Sequence, residues 1–170
     1  VPYRQLLGAI GHVANFTRPD VKYAVSRCSR HQTNFTKTHW EALQNILLYL
    51  KGTSTMGIIY RTGNIEPLVV AYADADYAGD KKSSLSTSGY VIKMQGGPIL
   101  MRSRKQTCIA SSTTIAEMMA ISECTVELEW ISKFLYFLGI PITPVPIYED
   151  NEACVSIIQT ALTSSKTRQV

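Results

Sequence analysis

The sequence predicts a mixed α/β (α+β) chain: an N-terminal helical segment, then a mixed β-sheet with flanking helices. Three observations carry that expectation. Up to about residue 53 the apolar residues recur at helical spacing. Beyond it, short β-prone runs are separated by Gly, Asn and Pro turns. A long helical pattern then divides the first strands from a last short one, the order expected when antiparallel strands are followed by a crossover helix. At about 150 residues per domain, 170 residues make one domain or two small ones. The expected division is 1–55 and 56–170.

The elements follow in order. In residues 3–15, Tyr3, Leu6, Leu7, Ile10 and Val13 share one helical face. Thr17-Arg18-Pro19-Asp20 breaks the pattern, and Pro19 suits the first turn of a second helix running to about His31. A third helix is expected from an N-cap at Thr38, with Glu41 three residues on, to Gly52; its stripe is Trp40, Leu43, Ile46, Leu47 and Leu50. Met56–Arg61 reads as a strand and Thr62-Gly63-Asn64 as a turn. Leu68–Ala73 reads as a strand buried on both faces, followed by a polar loop over Ser83–Ser88. Gly89–Met94 and Ile99–Ser103 make a hairpin through Gln95-Gly96-Gly97-Pro98. A long helix from about Thr113 to Leu138 stops at Gly139 and Pro141. Val145–Tyr148 is a short strand, and Asn151–Ala161 a last helix.

Composition narrows the function classes. Hydrophobic residues make up 45% and charged residues 18%, the latter below the roughly 25% of an average soluble protein, which argues against disorder and a coiled coil. No apolar run, Ile46–Leu50 included, comes near the ~20 residues that span a bilayer, so no membrane partner is expected. Val1-Pro2-Tyr3 has neither an initiator Met nor a signal-like start, and the expectation is a chain cut from something longer. Cys28, Cys108, Cys124 and Cys154 lack metal-ligand spacing and read as reduced, mostly buried thiols. Charge is uneven. Residues 1–60 carry seven Lys/Arg against two acids, and 61–170 ten against eleven. A basic half beside a mildly acidic one fits a polyanion-facing surface and a separate gathering of carboxylates.

Three acids sit where buried elements end. Asp74 closes the strand 68–73, Glu117 lies one turn inside the long helix between apolar neighbours, and Asp150 follows the strand 145–148. If the two strands are parallel neighbours, Asp74 and Asp150 emerge side by side, and the helix can aim Glu117 between them. Converging carboxylates repel one another, and such clusters usually hold divalent cations. All-oxygen ligands suit magnesium or manganese over zinc. Two such ions ~3.5–4 Å apart drive phosphodiester hydrolysis. Plainer roles stand beside this one: Asp150 as N-cap of the last helix, Glu117 as a solvated helix residue, Asp74 as a loop acid. Asp76, Asp80 and Glu149 read as solvated loop charges. His12, His31 and His39 have no metal spacing, and no nucleophile elbow or P-loop is present.

Tyr72-Ala73-Asp74-Ala75-Asp76-Tyr77-Ala78-Gly79-Asp80, followed by Ser86-Thr87-Ser88-Gly89-Tyr90-Val91, resembles the opening of the ribonuclease H domain in copia-type LTR retrotransposon Pol polyproteins. Ser103–Gln106 with Ser111–Thr113 and Ala116-Glu117 resembles its next block, and Ile147–Asn151 with Ala153 the third. Tyr3–Gly8, Thr17–Asp20 and His39–Thr53 are similar to the end of the preceding reverse transcriptase. The resemblance implies an incomplete ribonuclease H-like fold that cleaves the RNA strand of RNA–DNA hybrids with two magnesium ions, or manganese in their place. By residue match Asp74, Glu117 and Asp150 are its catalytic, metal-ligating carboxylates. It implies as partners the RNA–DNA hybrid and the remainder of the Pol polyprotein, and a place in cytoplasmic virus-like particles or the nucleus. Residues 1–55 would be the thumb- or connection-like tail of the reverse transcriptase, its charge facing the hybrid's phosphates. Lys81, Lys82, Arg102, Arg104 and Lys105 are candidates for nucleic-acid contacts.

Two departures bear on activity: Ile115 stands where the family has an acid and Met118 where it has an aromatic. The family's fourth catalytic Asp is also not among these residues, so the chain alone is expected to be weak or inactive. The alternative is a non-catalytic nucleic-acid-binding remnant or domesticated copy. A third reading takes Asp74-Ala75-Asp76 as the D-x-D of a glycosyltransferase, on a chain short for one.

Overall fold

Residues 1–63, 67–81, 83–140 and 144–167 are described by a computed structural model. Asn64, Lys82 and Pro141 of the expected turns and contacts lie outside them. The described elements are α1 (Tyr3–Phe16), a 3-10 turn (Pro19–Val21), α2 (Lys22–Ser29), α3 (Lys37–Gly52), β1 (Val69–Asp80), β2 (Leu85–Met94), β3 (Gly97–Lys105), α4 (Thr113–Phe137), β4 (Ile147–Tyr148) and α5 (Glu152–Thr167). The fold is mixed α/β, five helices with one mixed sheet among the described residues.

The helical segment closes on its own apolar cluster. Tyr3, Leu7, Ile10 and Ala14 of α1 meet Val25 and Cys28 of α2 and Leu43 and Ile46 of α3. The Tyr3 hydroxyl reaches across to donate to the Cys28 carbonyl at 2.9 Å, so its one polar atom is satisfied inside the cluster. Arg18 clamps the corner between α1 and α2. Its Nε and Nη2 donate to the Asp20 carboxylate and its Nη1 to the Thr53 carbonyl at the end of α3. The second helix differs from the expected single run: Pro19 starts a 3-10 turn, and α2 proper begins at Lys22. The third begins earlier than expected. Thr36, not Thr38, is the N-cap, and its N–H donates to His39 Nδ1 at 3.0 Å, the role expected of Glu41. Of the expected stripe, Leu47 is exposed.

The sheet has strand order β3-β2-β1-β4, antiparallel except for the parallel pair β1–β4. Ala71, Ala73 and Ala75 of β1 with Tyr90 and Ile92 of β2 form one buried face, against which α4 lays Ala116, Ala120, Cys124, Leu128, Ile131 and Leu135. Alanines on β1 let the helix approach closely. Ser112 caps α4 by accepting from the Ile115 N–H. At its other end Gly139, at φ +73°, donates to Tyr136 and Ile140 donates to Leu135, a left-handed cap that glycine permits.

Three strand expectations are corrected. The second strand begins at Leu85 and not at Gly89, so Leu85, Thr87 and Ser88 of the expected polar loop pair with β1. Met56–Arg61 is not a strand. It leans on the β2–β3 turn, with Arg61 N–H donating to the Gln95 carbonyl and the Tyr60 ring lying where a Cβ on Gly97 would sit 2.5 Å from it. The hairpin turn itself is Gln95-Gly96, both at positive φ, the backbone of a two-residue type I′ loop. The first strand does not end at Asp74. It runs on to Asp80, with buried Ala71, Ala73 and Ala75 alternating with exposed Tyr72, Asp74 and Asp76. A register shift after Asp76 accompanies Ala78 at φ 50°, whose N–H donates to Ser86 Oγ.

The helical segment is joined to the sheet along β3. Ser26 Oγ of α2 donates to the Ser103 carbonyl at 2.9 Å, and Arg30 Nη2 donates to Thr87 Oγ1 at 3.1 Å.

Candidate metal centre

The parallel pair β1–β4 sets the site. Ala71 lies opposite Ile147 and Tyr72 opposite Tyr148, and Ala71 N–H donates to the Pro146 carbonyl at 3.0 Å. Two residues further along each strand come Asp74 and Asp150, side by side as the parallel arrangement requires. Asp150 does not cap α5. Asn151 does so, its Oδ1 accepting from the Cys154 N–H at 2.9 Å, which leaves the Asp150 carboxylate to the site.

Glu117 enters from the second turn of α4. It is 7% exposed, so it is a buried acid and not the solvated helix residue of the plainer reading. One oxygen of each of Asp74, Glu117 and Asp150 lies within 4.8 Å of the other two. Burial pushes the Glu117 carboxyl up to about 7, and the charges of Glu149, Asp74 and Asp150 add to that, against a stabilising backbone N–H at Ala75. Its Oε2 is buried with no hydrogen-bond partner.

An orphaned buried carboxylate oxygen facing two further carboxylates is costly unless a cation joins it. The donors are hard oxygens, and no His or Cys belongs to the group, which fits magnesium or manganese and not zinc. The placement of Glu117 is supported from below. Gln106, 2% exposed, donates through Nε2 both to Ser88 Oγ on β2 and to the Ala116 carbonyl on α4, each at 3.0 Å. This second layer locks helix to strand next to the acid.

Glu149 belongs to the same neighbourhood, contrary to its reading as a solvated charge. It is half-buried, its Oε1 accepts from the Asn151 N–H at 3.2 Å, and its Oε2 is buried without a partner. Burial raises its pKa, with Asp150 and Asp74 contributing. A signal for it was present: the period of two along β4 turns residue 149 to the face of Ile147, toward α4. Asp80 is not a solvated loop charge either, being ion-paired with Lys105 and within 4.0 Å of Arg30. Asp76 is exposed, on β1.

The basic candidates disperse. Arg102 donates to Glu127 at 3.1 Å and Lys105 pairs with Asp80, so both charges are engaged within the fold. Lys81 and Arg104 are exposed. Lys82 lies outside the described residues.

Asp74 within β1, Asp150 just past β4 and Glu117 on α4 bring three carboxylates together on an α/β scaffold, a donor set that fits a divalent cation. Relatives place the chain among known proteins. The chain is 35% identical, over all 170 residues, to the retrovirus-related Pol polyprotein from transposon TNT 1-94 of Nicotiana tabacum. It is 43% identical over 150 residues, 88% of its length, to that from transposon RE1 of Arabidopsis thaliana. It spans 13% and 10% of those polyproteins. The secreted RxLR effector protein 161 of Plasmopara viticola is 43% identical over 132 residues, 92% of that protein. No family model and no solved structure matches the chain. The chain is homologous to one stretch of the retrovirus-related Pol polyproteins of copia-type transposons, as a fragment of such a polyprotein would be. No described helix is long and apolar enough to cross a membrane.

Proposed function

We propose that the chain is the ribonuclease H part of such a polyprotein, with the end of the reverse transcriptase before it at 1–55, and that it acts on the RNA strand of RNA–DNA hybrids. One observation carries the reading: Asp74, Glu117 and Asp150 converge on a point where a buried Glu117 oxygen has no partner. Magnesium bound there would activate a water toward a phosphodiester and stabilise the leaving oxygen. The protein's own part is to hold the three oxygens ready. Asp74 and Asp150 are fixed by the β1–β4 register, and Glu117 by α4 and Gln106. Burial of Glu117 keeps its carboxylate desolvated, which strengthens its attraction for a cation. Arg104 and Lys81, exposed near the ends of β3 and β1, are left to meet phosphates, as are the cations of the helical segment.

The test is cleavage of an RNA–DNA hybrid labelled on the RNA strand. Slow magnesium-dependent cleavage by the chain, abolished in Asp74→Asn, supports the reading. Cleavage that persists in Asp74→Asn, or that needs no divalent ion, overturns it. A non-catalytic role draws support from the effector-named relative, in which the same stretch makes up nearly the whole protein. Salt-sensitive hybrid binding with no cleavage at any magnesium concentration would favour that role.

A further inference from the structure

The face of the sheet that α4 leaves uncovered carries a groove of about 450 Å³, walled by the start of α2. Its floor is two rows of paired residues. One is Tyr72–Val91–Met101 and the other Asp74–Gly89–Ser103, each running across β1, β2 and β3. Lys22 and Tyr23 form the wall. The α2 helix is held over the far edge by the Ser26 hydroxyl on the Ser103 carbonyl. The groove therefore starts at one carboxylate of the metal centre and ends under the helical segment.

Gly89 is the informative residue. It lies in the interior of β2, where glycine costs about 0.5–1 kcal/mol against alanine. The fold does not ask for it. Its φ is not positive, and a Cβ there would meet only the Asp74 and Arg102 carbonyls, at 3.8 and 3.9 Å, ordinary contact distances. Because residues 74 and 89 are cross-strand partners, that Cβ would rise on the same face as the Asp74 side chain. A strand glycine without an internal reason marks a place where another backbone comes close.

Of the charges lining the groove, Asp20 is ion-paired with Arg18 and Arg102 with Glu127, and Asp74 belongs to the carboxylate cluster, which leaves Lys22 to meet an anion. Lys22 Nζ donates to Asn15 Oδ1, a neutral partner, so its positive charge is not cancelled there. Lys93 stands over the Tyr72 ring at 5.0 Å, and Tyr72 stacks on Tyr148 at 5.2 Å, both rings largely exposed beside Asp74 and Asp150. Cations and exposed aromatic rings along a track that ends in a metal centre are what a nucleic-acid strand requires.

We infer that this groove seats the strand to be cut, its backbone passing over Gly89 beside Asp74 and its phosphates meeting Lys22. The helical segment is then a wall of the substrate site and not only a neighbour of it. The inference rests on the nuclease reading, and the experiment separates the two. Binding of a short fluorescent RNA–DNA hybrid is followed by anisotropy in calcium over a series of salt concentrations. Manganese binding and melting temperature are measured on the same samples. Lys22→Gln is expected to weaken hybrid binding about tenfold and to lower the salt slope by about one. Gly89→Val is expected to weaken it about tenfold while leaving manganese binding and the fold as in the wild type. Lys133→Gln, the same charge loss on an exposed residue of α4 that does not line the groove, changes binding less than about twofold. Wild-type affinity in both Lys22→Gln and Gly89→Val would overturn the inference while leaving the nuclease reading in place. No hybrid binding by the wild type, with manganese bound, would overturn both.

Discussion

Replacing Glu117 by Gln should stabilise the metal-free protein, an unusual outcome for a buried residue. In the unfolded chain the carboxyl titrates near its ordinary 4.5, and in the fold near about 7. Between those values the folded state holds a proton that the unfolded state has released. This group's stabilising share is therefore complete below about pH 4.5 and lost as pH rises through 7. The gap, at about 1.4 kcal/mol per pH unit, amounts to about 3 kcal/mol at pH 8. The amide keeps the size and an acceptor for the Ala75 N–H without the charge. The variant should therefore melt higher than the wild type at pH 8 in EDTA by roughly 6–12 °C, at about 2–4 °C per kcal/mol for a chain of this length. At pH 5 the gap should shrink to about 1 kcal/mol, roughly 2–4 °C. Magnesium at pH 8 should raise the wild type and leave the variant unmoved. A variant that melts lower at pH 8, or that gains equally at pH 5 and pH 8, would refute the electrostatic reasoning.

Other consequences are smaller in scope. Gln106→Ala strips the partners of Ser88 Oγ and the Ala116 carbonyl, and should cost about 1–3 kcal/mol in urea unfolding while weakening manganese binding. Ile92→Ala, at a fully buried point under α4, should cost about 2–5 kcal/mol, read from the same unfolding curves. Thiol labelling of the native protein should find Cys108 fast. Cys28, Cys124 and Cys154 should be slow, since they are buried and burial raises their pKa, that of Cys124 to about 11.

What could be read in the sequence follows from how local each signal is. The three N-terminal helices and α4 carry apolar residues at a period near 3.6 over two to seven turns, and their burial follows that pattern. Boundaries were misplaced where a tertiary partner decides them. Thr36 caps α3 because His39, not an acid, supplies the returning acceptor. Met56–Arg61 has strand-like residues but finds one edge of a turn instead of a neighbouring strand. Asp74-Ala75-Asp76 looked like a strand end because the acids are polar, yet the alternating alanines continue the buried face and the strand with it. The three carboxylates were legible because each follows or enters an apolar element, and the parallel pairing brings them together. Gln106 was not singled out for the site, because its role depends on the packing of α4 against the sheet, which no short window of sequence contains; Glu149, two residues on from Ile147, did carry a local signal.

The most direct test of the metal centre is a manganese(II) titration at pH 8 followed by electron paramagnetic resonance. The wild type should bind saturably and give up the ion to magnesium, and Asp74→Asn, Glu117→Gln and Asp150→Asn should each weaken binding at least about tenfold. Failure of the wild type to bind, or undiminished affinity in all three variants, would contradict the assignment of these carboxylates.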